Sequence, residues 1–235
     1  MSDQNKAGDE REAERERMVA AQIAARGIQD ARVLDALRRV PRHRFIAPFV
    51  EDSRARAYED GAQPIGEGQT ISQPYIVALM SEALHLTGSE KVLEVGAGSG
   101  YQTAVLSLLA REVIAIERHA RLATQAQNAL HAFGAANVRV LVGDGSHGLP
   151  NNAPYDAILV AANAPTVPPP LVAQLAPGGR LVLPVGPERG PQKLLLLIKA
   201  ADDSITTHDL GAVGFVPLIG AHGFGLPDDL GDMDV

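Results

Sequence analysis

The sequence predicts an α/β domain built on a mostly parallel β-sheet with helices on both faces, preceded by a small helical cover. Three observations carry that prediction. Strand-like apolar runs at 91–95, 113–117, 138–142, 156–161 and 180–185 alternate with helical patterns at 101–109, 121–133 and 170–175, the order expected of consecutive βαβ units. Runs such as Val113-Ile114-Ala115-Ile116 are apolar at every position, as strands buried on both faces require. Finally, a chain of 235 residues with 46% hydrophobic side chains can bury one sizeable core, since a domain of this size removes roughly 70% of its unfolded surface from water.

The elements follow in chain order. Residues 9–17 alternate acidic and basic side chains with no apolar stripe, which predicts a solvated helix or partly disordered extension. Residues 1–17 are therefore set apart as a charged extension, 18–222 as the domain and 223–235 as an acidic tail whose Asp228, Asp229, Asp232 and Asp234 lack calcium-loop spacing. From Met18, apolar residues recur at helical spacing (Val19, Ile23, Val33, Leu37), interrupted at Gly27, with Asp30 placed to cap the second segment. Residues 40–69 hold too many Pro and Gly breakers for regular structure and read as a long functional loop. Within it, 61–72 is expected to act as a lid with Gly66 and Gly68 as hinges. Residues 73–86 place Ile76, Val77, Met80 and Leu84 on one helical face, with Pro74 in the first turn, where its missing N–H costs little. At the end of the chain, 194–198 and 213–218 read as a hairpin-like sheet edge joined by the polar turn 200–207.

Composition excludes several function classes. The formal charge of −7, from 21 basic and 28 acidic residues without a long basic run, argues against a nucleic-acid backbone binder. The absence of Cys removes disulfides, thiolate metal sites and cysteine nucleophiles. No His falls in a metal-binding spacing, so no metal is expected. The hydrophilic start and the lack of an apolar run of roughly 18 residues predict a cytoplasmic protein with no membrane contact, and it is expected to be a monomer.

The chemistry concentrates where the strand Val92-Leu93-Glu94-Val95 runs into Gly96-Ala97-Gly98-Ser99-Gly100 and then a helix. Glycines there permit positive φ and let a ligand lie on bare backbone near a helix N-terminus, although a tight turn made only for helix–strand packing would use the same residues. Glu117, at the end of the next strand, is placed to accept both hydrogen bonds of a ribose diol. Together they indicate a nucleoside cofactor. The dinucleotide fingerprint would require glycine at position 101, which is Tyr101. Glu94, two residues before the first glycine, would repel a pyrophosphate and suits S-adenosylmethionine, which carries cations and no phosphate; it could equally interact with helix N-terminal amides. Gly143-Asp144-Gly145 could set Asp144 against an adenine amino group, or could be a plain turn.

The segments Tyr58-Glu59-Asp60, Pro64-Ile65-Gly66 and Gly68-Gln69-Thr70-Ile71-Ser72-Gln73-Pro74-Tyr75, with the glycine motif and Gly143-Asp144-Gly145, closely resemble the protein-L-isoaspartate O-methyltransferase family. The resemblance extends through Pro177-Gly178-Gly179-Arg180-Leu181 and Phe215-Val216-Pro217-Leu218 and covers nearly the whole chain. It implies a Rossmann-like seven-stranded methyltransferase sheet with its last strand antiparallel. It also implies S-adenosyl-L-methionine as methyl donor, S-adenosyl-L-homocysteine as product, and isoaspartyl-containing peptides and proteins as substrates. Carried over residue by residue, it assigns catalysis to Ser72 and cofactor contacts to Thr70, Ile71, Ser72, Gly96, Gly98, Gly100, Glu117, Asp144 and Gly145, beside the Glu94 read from charge. Ser72 directly precedes Gln73-Pro74, so a helix-capping role competes with the catalytic one. The chain departs from the family at Asn163, where small apolar residues are usual before the proline. A methyltransferase of small molecules, or a non-catalytic S-adenosylmethionine-binding protein, would share the cofactor half of this reading.

Overall fold

The computed structural model describes residues 4–46 and 51–225; the acidic tail from 226 lies outside the described residues. The helix α1 (Gln4–Arg17) continues into a π-helical turn (Met18–Ile23) and a 3-10 turn (Ala24–Arg26) that ends at Gly27, whose φ of 100° supplies the left-handed exit. In α2 (Ala31–Arg39) the Asp30 side chain accepts from the amides of Arg32 and Val33, the capping role expected of it. Residues 4–17 of the charged extension are thus helical. Arg11 donates to the Arg54 carbonyl, Arg15 to that of Arg38, and Arg38 pairs with Glu16 at 3.1 Å, so α1 is tied to the cover.

The stretch expected to be an irregular loop contains regular structure. A 3-10 turn (Arg42–Phe45) and α3 (Glu51–Ala55) precede an antiparallel hairpin of β1 (Gln63–Gly66) and β2 (Gln69–Ile71). Glycine and proline are used here as turn residues: Gly66, Glu67 and Gly68 take φ of 98°, 51° and 67° across the reversal. The segment expected to be a lid is therefore a hairpin, and its tip is joined to the start of the sixth helix by an ion pair of Glu67 with Arg121 at 3.2 Å.

Then α4 (Pro74–Ala83) leads into the main sheet: β3 (Lys91–Val95), α5 (Tyr101–Leu109), β4 (Glu112–Glu117), α6 (Ala120–Phe133), β5 (Val138–Val142), β6 (Tyr155–Val160), α7 (Pro169–Ala173), β7 (Leu175–Val185), β8 (Gln192–Lys199) and β9 (Ile205–Val213). The seven strands lie in the order β5-β4-β3-β6-β7-β8-β9; the first five are parallel, and β8 and β9 pair antiparallel with their neighbours. The chain reverses its spatial order beside β3, so the C-terminal ends of β3, β4 and β6 open a crevice where ligands of such sheets bind.

Strand alternation explains the two cores. Val92, Val113, Ala115 and Leu159 face α2, α4, α5 and α6, while Leu93, Val95, Ile114, Ile116 and Val160 face α7 and the loops around it. The sheet edge differs from expectation. Its hairpin arms are 192–199 and 205–213, and beyond Val213 the apolar run leaves the strand and lies across the crevice, bonded to β8 through Gln192 and Phe215 and bridged at Pro217 with Asn163. Because β9 is an edge strand with mostly exposed residues, its Thr- and His-containing sequence carries no apolar signal. Among the described residues, no helix is long and apolar enough to cross a membrane.

Candidate active site

The crevice is floored by the turn between β3 and α5. Gly96, Gly98 and Gly100 have φ of 89°, 52° and 82°, a region that a side chain makes costly. The turn is bound to the end of β4: the amides of Gly96 and Ala97 donate to the Ile116 carbonyl, and Gly98 N–H donates to Glu117 Oε2 at 2.9 Å. Glu117 Oε1 accepts from His119 N–H at 2.9 Å. With both oxygens anchored and the residue 5% exposed, the carboxylate stands at the crevice edge in one orientation, with lone pairs left for ligand hydroxyls.

Two contiguous cavities occupy the crevice. A narrow one is lined by Gln69, Thr70, Gly96, Gly98, Glu117 and Gly145, together with Val216–Ile219 side chains from the crossing segment. The larger, about 450 Å³, is lined by Ser72, Gln73, Ile76, Phe215 and neighbours, and no charged side chain faces it. Thr70, Ala161 and Val216 line both, so they mark the junction. Gly145 stands where a Cβ would lie 2.4 Å from Val95 Cγ1, a close approach that only glycine allows.

The fold thus brings together Thr70, Ser72, Gly96, Gly98, Glu117 and Gly145 of the expected residues. It separates four others from the cavities. Ile71 is buried in the core behind the hairpin. Gly100 caps α5 from a left-handed conformation, and its Cβ would press on Ala126 of α6 at 3.2 Å, so its role is helix packing. Asp144 is spent on the chain itself: it accepts from Ser146 N–H at 2.9 Å and from Ala221 N–H at 2.8 Å, pinning the C-terminal segment. Partial burial would raise its pKa, but these hydrogen bonds hold it below the usual carboxylate range. Ser72 lies outside the cap of α4: the N-cap is Gln73, whose side chain makes no capping bond.

Glu94 is the fourth, and it corrects the reading from charge. It is fully buried and lines neither cavity, with the Thr103 hydroxyl beside its carboxyl group. Burial pushes its pKa to about 8, opposed by the Thr103 hydroxyl and reinforced by the Glu117 charge. A neutral, enclosed acid does not carry the cradle's negative charge, and Glu117 is the acidic group that reaches it. Because the folded pKa exceeds the unfolded value of 4.5, the native state binds more protons between pH 4.5 and 8, and stability falls as pH rises through that window. A tenfold change in proton affinity between the folded and unfolded chain corresponds to about 1.4 kcal/mol. Urea unfolding should therefore find the advantage of Glu94→Gln over the parent growing by several kcal/mol from pH 5 to pH 8 and constant above it; parallel curves would refute the neutral assignment.

Sequence reasoning missed the wall formed by residues 213–219, because its apolar pattern reads as a strand. Asn163 explains how that wall is held. It is wholly buried and lines neither cavity; its N–H donates to the Val216 carbonyl at 2.8 Å and its own carbonyl accepts from Leu218 N–H at 2.7 Å. Its Nδ2 donates to the Gly186 and Pro187 carbonyls at 3.2 and 3.0 Å. The departure from small apolar residues thus ties the loop after β7 to the wall. Asn163→Ala strands two carbonyls at about 1–3 kcal/mol, and a thermal melt should show a midpoint lower by several degrees, at about 2–4 °C per kcal/mol for this size; an unchanged melt would remove the staple.

A seven-stranded sheet with a glycine turn after its first strand and an acidic residue ending the second belongs to the Rossmann-like methyltransferase class. Within it, the family model for protein-L-isoaspartate(D-aspartate) O-methyltransferase matches residues 13–223, and the chain belongs to that family. It is 55% identical over 212 residues to protein-L-isoaspartate O-methyltransferase 1 of Rhodopseudomonas palustris, covering 90% of this chain and 85% of the relative. A solved protein-L-isoaspartate O-methyltransferase superposes with a TM-score of 0.77 at 28% identity, over 89% of this chain and 67% of the other. A Plasmodium falciparum protein solved with S-adenosyl-L-homocysteine shares the fold, with a TM-score of 0.74 at 24% identity over 87% of this chain and 98% of the other.

Proposed function

We propose that this enzyme methylates the free α-carboxylate of L-isoaspartyl residues in damaged proteins, with Ser72 as the residue that orients the carboxylate. The observation that carries this reading is the pair of joined cavities: one floored by the Gly96–Gly98 turn and bordered by Glu117, the other uncharged, open to Ser72 and large enough for a peptide segment. The donor set fits an adenosyl cation, because the ribose acceptor Glu117 is fixed from two sides and no basic side chain lines either cavity except Arg118. Bound there, S-adenosylmethionine supplies a methyl group on a sulfonium.

The protein's part is binding and alignment. An α-carboxyl titrates near about 3.3–3.7 and is already ionised at neutral pH, so no general base is needed. Transfer from a cation to an anion destroys charge, and bulk water, which solvates separated ions, opposes it. Ile76, Phe215 and Val216 put apolar surface along the larger cavity, and a peptide seated against it would displace water from the reacting groups. The Ser72 hydroxyl holds the carboxylate with a single hydrogen bond, enough to set a near-attack separation of roughly 3–3.5 Å without quenching the nucleophile as a paired Arg would.

The decisive experiment incubates the pure protein with radiolabelled S-adenosylmethionine and paired peptides that differ only in Asp versus isoAsp. Labelling of the isoAsp peptide alone is expected. Equal labelling of both would indicate unspecific or small-molecule transfer, and binding without labelling would indicate a non-catalytic module.

A further inference from the structure

We propose that Gln73 is a substrate-positioning residue whose side-chain carbonyl accepts a backbone N–H of the isoaspartyl peptide, beside the carboxylate held by Ser72. The inference rests on the methyl-transfer reading above and adds the group that would hold the peptide chain. Its basis is a chain of contacts running from the helical cover to the cavity. The Arg26 guanidinium stacks 3.6 Å from the centre of the Tyr75 ring and donates from Nη1 to Asp60 Oδ2 at 3.0 Å. Asp60 Oδ1 in turn accepts from Gln73 Nε2 at 2.7 Å.

That last contact decides the polarity of the amide. A carboxylate paired with a guanidinium accepts hydrogen bonds and does not donate, so the nitrogen end of Gln73 must face Asp60. One of the two Nε2 hydrogens is engaged by Asp60, and Oε1, which accepts no hydrogen bond from the described residues, is the acceptor the amide offers a ligand. Gln73 lines the larger cavity directly beside Ser72.

The substrate chemistry calls for such an acceptor. A peptide drawn into this cavity loses water from its N–H groups, and a buried donor without a partner is costly. The cavity offers no carboxylate to receive it. A backbone N–H is present at every damage site whatever the flanking side chains, so recognition through it suits an enzyme whose targets share a backbone lesion and little else. Asp60 and Arg26 act through Gln73 and are positioning residues behind it; Tyr75 fixes the plane of Arg26.

The test uses the full chain, one isoAsp peptide, and its analogues N-methylated at the isoaspartyl nitrogen or at the following nitrogen. Gln73→Ala should raise KM for the unmodified peptide about fivefold to tenfold, the worth of one hydrogen bond, with kcat and the Kd for S-adenosylhomocysteine within about twofold. Asp60→Asn, whose amide can donate as well as accept, should raise the same KM about threefold in the parent and not at all in the Gln73→Ala background. One of the two N-methyl peptides should bind the parent about fivefold to tenfold worse and show no further loss with Gln73→Ala. The proposal is overturned if both N-methyl peptides bind the parent like the unmodified one, a measurement that needs no variant to fold, or if Gln73→Ala weakens all three peptides equally. Failure of the parent to label the unmodified isoAsp peptide would instead overturn the methyl-transfer reading, and this inference with it.

Discussion

Ser72→Ala should lower kcat for an isoaspartyl peptide by roughly 10²-fold or more while leaving the unfolding midpoint and cofactor affinity nearly unchanged. The size follows from what one preorganised donor at a reacting oxygen is worth, about 10²–10³ in rate, and from the steep cost of misplacing a nucleophile by about 1 Å. The insensitivity of stability follows from the local structure. A capping serine would cost about 1 kcal/mol when lost, but the N-cap of α4 is Gln73, and Ser72 sits one residue earlier, lining the larger cavity. Single-turnover kinetics beside a thermal melt separate the two roles. A melt lowered by several degrees with turnover of the folded fraction intact would make Ser72 a structural residue.

Glu117→Ala should weaken binding of S-adenosylhomocysteine by about 10²-fold, read by isothermal titration. Hydrogen bonds to a charged group are worth about 1.5–3 kcal/mol each, and about 1.4 kcal/mol is a factor of ten. The substitution removes the expected ribose acceptor and also frees the amides of Gly98 and His119, so the glycine turn loses its side-chain tie to β4 and keeps only the backbone bonds to Ile116. Glu117→Gln should not restore affinity, because both oxygens accept from N–H groups and an amide presents a donor to one of them. At saturating cofactor, kcat should fall much less than for Ser72→Ala, since Glu117 lines the narrow cavity and not the one that holds Ser72. Titration within threefold of the parent would remove Glu117 from the cofactor site.

Much of the architecture was legible in the order of the residues. Val113-Ile114-Ala115-Ile116 reads as a doubly covered strand because each side chain has a core to enter, Val113 and Ala115 one and Ile114 and Ile116 the other. The caps at Asp30 and Gly27 are local, set by hydrogen bonds and dihedral preferences within a few residues, and the turn at 96–100 is marked by glycines of positive φ although its bonds reach to the end of β4. What failed was of another kind. Residues 213–218 have the composition of a strand, yet the β8 edge is taken by the mostly exposed residues 205–213, and the apolar run is held across the crevice by Asn163 and Gln192, while Asp144 and Ser146 hold the amides of Ala221 and His222 just beyond it. Those partners are distant in sequence, so no local pattern announces them.

The same division runs through the site. Spacing along the chain determined which residue types a nucleoside pocket would need, glycines of positive φ after a buried strand and an acid at the end of the next, and the family resemblance added a hydroxyl ahead of a helix. Tertiary packing decided which of those residues line the crevice. It turned Glu94 into the core, where burial keeps it neutral, and it spent Asp144 on the chain's own amides while leaving Glu117 at the crevice edge. The physical reason is that backbone conformation is chosen by neighbours in sequence, whereas the ionisation and exposure of a side chain depend on the water and charges left around it once distant segments have closed.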